Sequence, residues 1–142
     1  KYIKNSRFFM FKEISLNRGD SPIVLASNWF IKSNKDNPIL LLVRDLLCKY
    51  WEDTDTLIDY FIFHIFMTMA IKKYHELWDS VPTYNNINPH IMQFELFNKY
   101  DKDRFKYYES ISDFHKLTYK FKSKDVVKNT NIYYIMEGNN EK

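Results

Sequence analysis

Hydrophobic residues follow two different rhythms along the chain. Near the front they come in short continuous runs: Phe8-Phe9-Met10-Phe11, Ile23-Val24-Leu25-Ala26 and Trp29-Phe30-Ile31. Runs of this length and type predict extended segments, the first of them a buried strand. Between them, Asn17-Arg18-Gly19-Asp20-Ser21-Pro22 is dense in turn formers. From Asn37 onward the rhythm is helical. Asn37-Pro38 predicts a helix start, because Asn can cap exposed amides and Pro at the first helical position loses only an unpaired N–H. Ile39 to Trp51 then reads as a buried helix, apolar on most faces.

A second helix is expected from Thr54–Thr56 to about Ser80. Leu57, Tyr60, Phe61, Ile65, Met69, Tyr74 and Trp78 supply its apolar side, while Lys72, Lys73, Glu76 and Asp79 make its later half wetter. Pro82 ends it. Asn85-Asn86-Ile87-Asn88-Pro89 offers a second Asn-Pro start, followed by a helix over His90 to Tyr100 and a short one over Asp103 to Ser110. After Asp113 the residues alternate. His115, Leu117, Tyr119 and Phe121 would face one way, and Lys116, Thr118, Lys120 and Lys122 the other, which predicts a strand. Ser123 to Lys142 ends in polar Gly138-Asn139-Asn140-Glu141-Lys142 and is expected to fray. No repeat or linker divides the chain. The pattern therefore predicts one α/β unit, mostly helical, with a few N-terminal strands followed by three or four helices.

Composition narrows the function classes. The 142 residues carry a formal net charge of +3, suited to an anionic small molecule or a loose membrane-surface contact. The dense basic stripe of a nucleic-acid binder is missing. Only 2 glycines are present, which argues against a Gly-rich phosphate loop. Cys48 stands alone in an apolar pattern, so a disulfide framework is excluded and a reducing, cytoplasmic setting is the simplest reading. The longest apolar stretch, Leu57 to Ile71, is interrupted by Asp59, His64 and Thr68 and falls short of the roughly 20 residues a spanning helix needs. The start in mid-pattern at Lys1-Tyr2-Ile3 suggests a segment of a larger intracellular protein. High Asn, Lys, Ile and Tyr content is compatible with an AT-rich bacterial genome.

Several residue groups could carry chemistry. Asp53-Thr54-Asp55 and Asp101-Lys102-Asp103 have the Asp-x-Asp form that holds a divalent cation against a nucleotide diphosphate. With 11 Asp in the chain such pairs arise by chance, and between helices capping is the stronger reading. Thr56-x-x-Asp59 resembles a capping box. The alternative for Asp59 is a carboxylate at a cleft edge that assists an acceptor hydroxyl. His64 and His75 share a helix face but lie about 16 Å apart along it, too far to bind one ion. Cys48 has nothing nearby to activate it and reads as a buried structural thiol. His115-Lys116-Leu117-Thr118-Tyr119-Lys120 is the most chemically loaded stretch. If extended, it gathers two ammonium groups and a hydroxyl toward a departing diphosphate. An edge strand protected by lysines explains it equally well.

Ala26-Ser27-Asn28-Trp29-Phe30-Ile31, Asn37-Pro38-Ile39-Leu40, Asp59-Tyr60-Phe61 and His115-Lys116-Leu117-Thr118-Tyr119-Lys120 together resemble the capsular polysaccharide synthesis family of glycosyltransferases. Their order and spacing span roughly residues 10 to 122, and the last string weighs most. The resemblance implies the C-terminal part of a GT-A-like catalytic domain over 1–122, with a tail over 123–142. It implies transfer of a sugar from a nucleotide-sugar donor to a growing glycan acceptor, with no nucleic-acid partner. It also implies a divalent cation (Mn²⁺ or Mg²⁺), held mainly by an N-terminal half outside this chain. By position, His115, Lys116, Tyr119 and Lys120 would close over the donor, and Asp59 and Trp29 would line the acceptor side, with Asp59 and His115 as the catalytic pair. The expected location is cytoplasmic, with peripheral association at the inner face of the plasma membrane as an option. The rival reading is a non-catalytic basic module that binds acidic polymers or lipid headgroups.

Overall fold

A computed structural model describes residues 2–12 and 24–137. The predicted turn over 17–22, Ile23 and the polar stretch 138–142 lie outside the described residues. The fold is α/β and mostly helical, with one two-stranded sheet among the described residues. The chain divides into two compact units, Lys1–Asn86 and Ile87–Lys142, a division no linker in the sequence announces.

The first unit opens with a short helix α1 (Tyr2–Asn5) and strand β1 (Phe8–Phe11). Strand β1 pairs antiparallel with β2 (Ser27–Ser33), Phe8 opposite Ser33 and Phe9 opposite Lys32, and the register shifts between Phe9 and Phe11. All four β1 side chains are buried. Alternation sends Phe9 and Phe11 to one face, where Phe9 meets Tyr84 at 5.6 Å and Phe11 stacks on Trp29 at 5.1 Å. Phe8 goes to the other face, 6.1 Å from Trp78. Lys12 Nζ lies 4.9 Å over the Trp78 ring, and burial there lowers its pKa against the opposing pull of Asp79. The expected strand over Ile23–Ala26 does not form in its described part. Val24, Leu25 and Ala26 lead into β2, which starts at Ser27.

Helix α2 (Pro38–Asp53) begins as the Asn-Pro pair predicts. Asn37 Oδ1 accepts from the Ile39 amide at 3.0 Å and the Leu40 amide at 3.3 Å, while Asp36 ahead of it takes a left-handed φ of 61°. Only Ile39 and Val43 are fully buried on α2, and Cys48 is exposed, so the helix is less covered than its composition suggests.

The expected helix from Thr54 to Ser80 is instead three pieces. Residues 54–61 form a loop, α3 covers Ile62–Lys73, and α4 covers His75–Asp79 after a break at Tyr74 (φ −115°, ψ 46°). Helix α3 packs along α2 and buries Ile62, Met67, Thr68, Ala70 and Ile71. His64 and His75 therefore stand on separate helices.

The second unit contains α5 (Ile87–Glu95), α6 (Lys102–Ser110), a 3₁₀ turn (Ser123–Asp125) and α7 (Asn131–Met136). Its core gathers Met92, Phe105 and Tyr108, with Ile91, Tyr100, Tyr134 and Ile135 packed against them. Tyr100 and Tyr134 stack at 4.2 Å. Residues 131–136 do not fray: Ile132 is buried, and this segment closes the end of α5. A helix leaves its last carbonyls without partners. Here Glu95 O accepts from Asn131 Nδ2 at 2.7 Å, Leu96 O from the Ile132 amide at 2.7 Å, and Asn98 O from the Asn131 amide at 3.0 Å. That closure also explains why α5 stops at Glu95, short of the predicted Tyr100. Lys99 instead bridges to Thr130.

Candidate functional site

The sequence-predicted site residues fall in separate places. Asp59 and Trp29 belong to the first unit, and His115, Lys116, Tyr119 and Lys120 to the second.

Asp59 sits in the α2–α3 loop rather than inside a helix. The capping box with Thr56 does not form, because Thr56 points its amide back to Thr54 Oγ1 at 3.1 Å. Asp59 Oδ1 accepts from the Phe61 amide at 2.6 Å, and its carbonyl accepts from the Ile62 amide at 3.2 Å. Asp59 therefore forms an Asx turn that launches α3 at Ile62, about two turns later than the sequence pattern predicts. Trp29, on β2, stacks on Phe11 and donates from its indole nitrogen to Asn86 Oδ1 at 2.7 Å. No hydrogen bond joins Trp29 to Asp59. The Asn86 partner has no local signal in the sequence, since it lies 57 residues from Trp29.

The 115–122 segment is not a strand. Leu117 is 45% exposed and Tyr119 86% exposed, which destroys the expected apolar face. Two local turns bend the backbone: the Lys120 amide donates to Thr118 Oγ1 at 3.1 Å, and the Phe121 amide donates to the Tyr119 carbonyl at 2.9 Å. Thr118 thus shapes the loop, a role the alternation pattern hides. The segment is pinned to α5 where the Lys116 amide donates to Pro89 O at 2.9 Å. His115 is half-buried, and its Nδ1 is buried without a hydrogen-bond partner. Lys116 is half-buried and Lys120 exposed. No acidic residue occurs between Asp113 and Asp125, and Lys116, Lys120, Lys122 and Lys124 form no ion pair with a described residue. The result is a cationic loop on a helical base, anchored at one amide and bent at a threonine.

Neither Asp-x-Asp pair fits a metal. Asp53 pairs with Lys49 Nζ at 2.8 Å, and Asp55 accepts from the Thr56 hydroxyl at 3.1 Å. Asp101 caps α6 by accepting from the Arg104 amide at 2.9 Å. Among the described residues no group of three or more His, Cys, Asp or Glu is placed to hold an ion. No described helix is long and apolar enough to cross a membrane.

Comparison with curated proteins and with solved structures returned no match. The family model described as "Capsular polysaccharide synthesis protein" matches residues 1–135. With nearly all of its length aligned to that model, and with the cationic 115–122 loop inside the match, the chain belongs to the capsular polysaccharide synthesis protein family.

Proposed function

We infer that this chain is a glycosyltransferase of capsule synthesis, contributing the C-terminal part of a GT-A-like catalytic domain that uses a nucleotide-sugar donor. Family membership supports a role in capsular polysaccharide synthesis. The observation that carries the finer reading is the acid-free lysine loop 115–124, fixed to α5 through Lys116 and Pro89. A nucleotide diphosphate gains negative charge as it leaves the sugar, and unpaired ammonium groups held nearby lower the barrier to that departure. Lys116 and Lys120 take this role, and His115 supplies a further donor beside them. Tyr119 offers an exposed ring to the donor base or sugar. Trp29 and Asp59 serve the acceptor, Trp29 as a face for a sugar ring and Asp59 as a carboxylate for its hydroxyl. A divalent cation finds no fitting ligands among the described residues.

The test is titration of UDP- and GDP-sugars, with and without Mn²⁺, into the protein and into a Lys116→Ala/Lys120→Ala double variant. Binding that weakens by about tenfold or more in the variant supports the diphosphate clamp. Binding that survives the double change moves the donor site away from this loop. A second reading rests on the exposure of Leu117 and Tyr119 among the lysines: a non-catalytic basic module for acidic polymers or lipid headgroups. Absence of nucleotide-sugar binding, with polymer or vesicle binding that fades steeply as salt rises, establishes that reading instead.

A further inference from the structure

The α2–α3 loop presents large apolar side chains to water from a backbone that is tied down. Leu57 is 52% exposed, Ile58 73% and Tyr60 84%. Trp51 at the end of α2 is exposed as well. A mobile loop could fold such residues inward; this one is held. The Tyr50 hydroxyl donates to the Thr56 carbonyl and accepts from the Ile58 amide at 3.0 Å. Thr54 Oγ1 fixes the Thr56 amide, and Asp59 fixes the Phe61 amide. Tyr50 is itself set by edge contact with Phe66 of α3, ring centroids 6.1 Å apart. The loop's polar groups thus bond within the α2–α3 pair, while its apolar ones face out. Apolar area left in water is unfavourable by about 25 cal/mol per Å², so such an arrangement marks an interaction surface.

The surrounding charge selects the occupant. No Lys or Arg occurs between Lys49 and Lys72, whereas Glu52, Asp53, Asp55 and Asp59 all fall in that interval and are exposed. Lys49 neutralises only Asp53. This patch is acidic on a chain of net charge +3. Anionic lipid headgroups would be repelled. A two-fold contact with the same patch of another copy would set like charges against each other. A partner with an apolar stripe flanked by Lys or Arg meets both features at once. We propose that the ordered α2–α3 loop is a docking surface for a basic, apolar-faced segment of another protein, with Ile58 and Tyr60 as the anchors and Glu52 and Asp55 on the rim. The proposal does not rest on the sugar-transfer reading, although its surface borders Asp59, which that reading gives to the acceptor.

The probe is a fluorescently labelled amphipathic Leu/Lys helical peptide, with a Leu/Glu peptide of the same pattern as its control. Fluorescence anisotropy is measured with the whole chain and with two variants, Ile58→Ser/Tyr60→Ser and Glu52→Gln/Asp55→Asn. These side chains are exposed, the Ile58 backbone amide is untouched by the serine change, and Asp55→Asn keeps an acceptor for the Thr56 hydroxyl, so both variants keep the wild-type circular dichroism spectrum. The expected result is binding of the Leu/Lys peptide alone. It weakens by about tenfold or more in the serine variant and loses part of its salt dependence in the charge variant. Equal binding of both peptides, or serine-variant binding equal to wild type, overturns the proposal. Partition of the chain into phosphatidylcholine or phosphatidylglycerol vesicles, abolished by the serine variant, also overturns it by making the surface a membrane contact.

Discussion

Asn131 joins α7 to the end of α5, and its side chain is the part of that junction that mutation can remove cleanly. Asn131→Ala deletes the Nδ2 bond to Glu95 O but leaves the Asn131 and Ile132 amides on Asn98 O and Leu96 O. A buried carbonyl left with no partner would cost about 1–3 kcal/mol. Glu95 O escapes that penalty because it keeps the Asn98 amide at 3.1 Å. What is lost is one net hydrogen bond, about 1 kcal/mol, plus the packing of an amide that is only 3% exposed. The expected cost is therefore about 1–2 kcal/mol. Asn131→Asp is harsher, about 3 kcal/mol, because a buried carboxylate would face the carbonyl it replaces a donor for. The assay is urea unfolding followed by far-UV circular dichroism, read as a shift of midpoint at constant slope. Tryptophan emission is the wrong probe, since Trp29, Trp51 and Trp78 all precede Ile87. An alanine variant within about 0.3 kcal/mol of wild type, or an aspartate variant no worse than alanine, refutes the closure described for α5.

Other predictions follow from local chemistry. Asn37→Ala removes the acceptor for two amides at the start of α2 and should cost about 1 kcal/mol in urea unfolding, whereas Asn37→Asp should stay within about 0.5 kcal/mol of wild type. Equal losses for the two would mean that the cap is not what matters there. Burial lowers the His64 pKa below its ordinary 6.5, so the folded chain resists a proton that the unfolded chain accepts. Stability should then fall as pH drops from about 6.5 toward the lowered folded value and level off below it. His64→Gln should flatten that limb, and an unchanged pH profile would exclude His64 as its source. Cys48 is exposed, so it should react with a thiol reagent under native conditions and leave unfolding cooperative. Labelling that proceeds only in denaturant would put the thiol in the interior.

The sequence was readable where one or two adjacent residues decide the structure. Asn37-Pro38 marks the start of α2, and Asp101 marks α6, because in each case the capping side chain and the amides it serves lie within three positions. It was misleading where the deciding partner is distant. Thr56-x-x-Asp59 has capping-box spacing, but the Tyr50 hydroxyl, from the preceding helix, holds the Thr56 carbonyl and the Ile58 amide and keeps that stretch a loop. The alternation after Asp113 has the period of a strand, yet Thr118 turns the backbone locally and no ladder forms. The apparent tail is held as a helix where the Asn131 side chain meets the last carbonyl of α5 and the Asn131 and Ile132 amides meet carbonyls just beyond it, and that pairing spans 36 residues for Asn131 and Glu95. Among the site candidates, the lysines were legible as charge, but the anchoring Pro89 carbonyl and the Asn86 partner of Trp29 were not. Neither is predictable from the residues beside it.

Strand β1 carries a consequence for how the chain behaves in a cell. Phe8-Phe9-Met10-Phe11 has the hydrophobicity, β-propensity and lack of charge that drive cross-strand aggregation, and its four side chains are buried in the folded chain. Arg7 and Lys12 bracket it immediately on either side, where they act as gatekeepers against stacking. Any event that separates β1 from β2 releases a sticky segment with only those two charges to keep it apart from its neighbours. Proteostasis of this chain, its yield and its need for chaperones, should therefore follow the opening of the β1–β2 pair more closely than the global unfolding free energy.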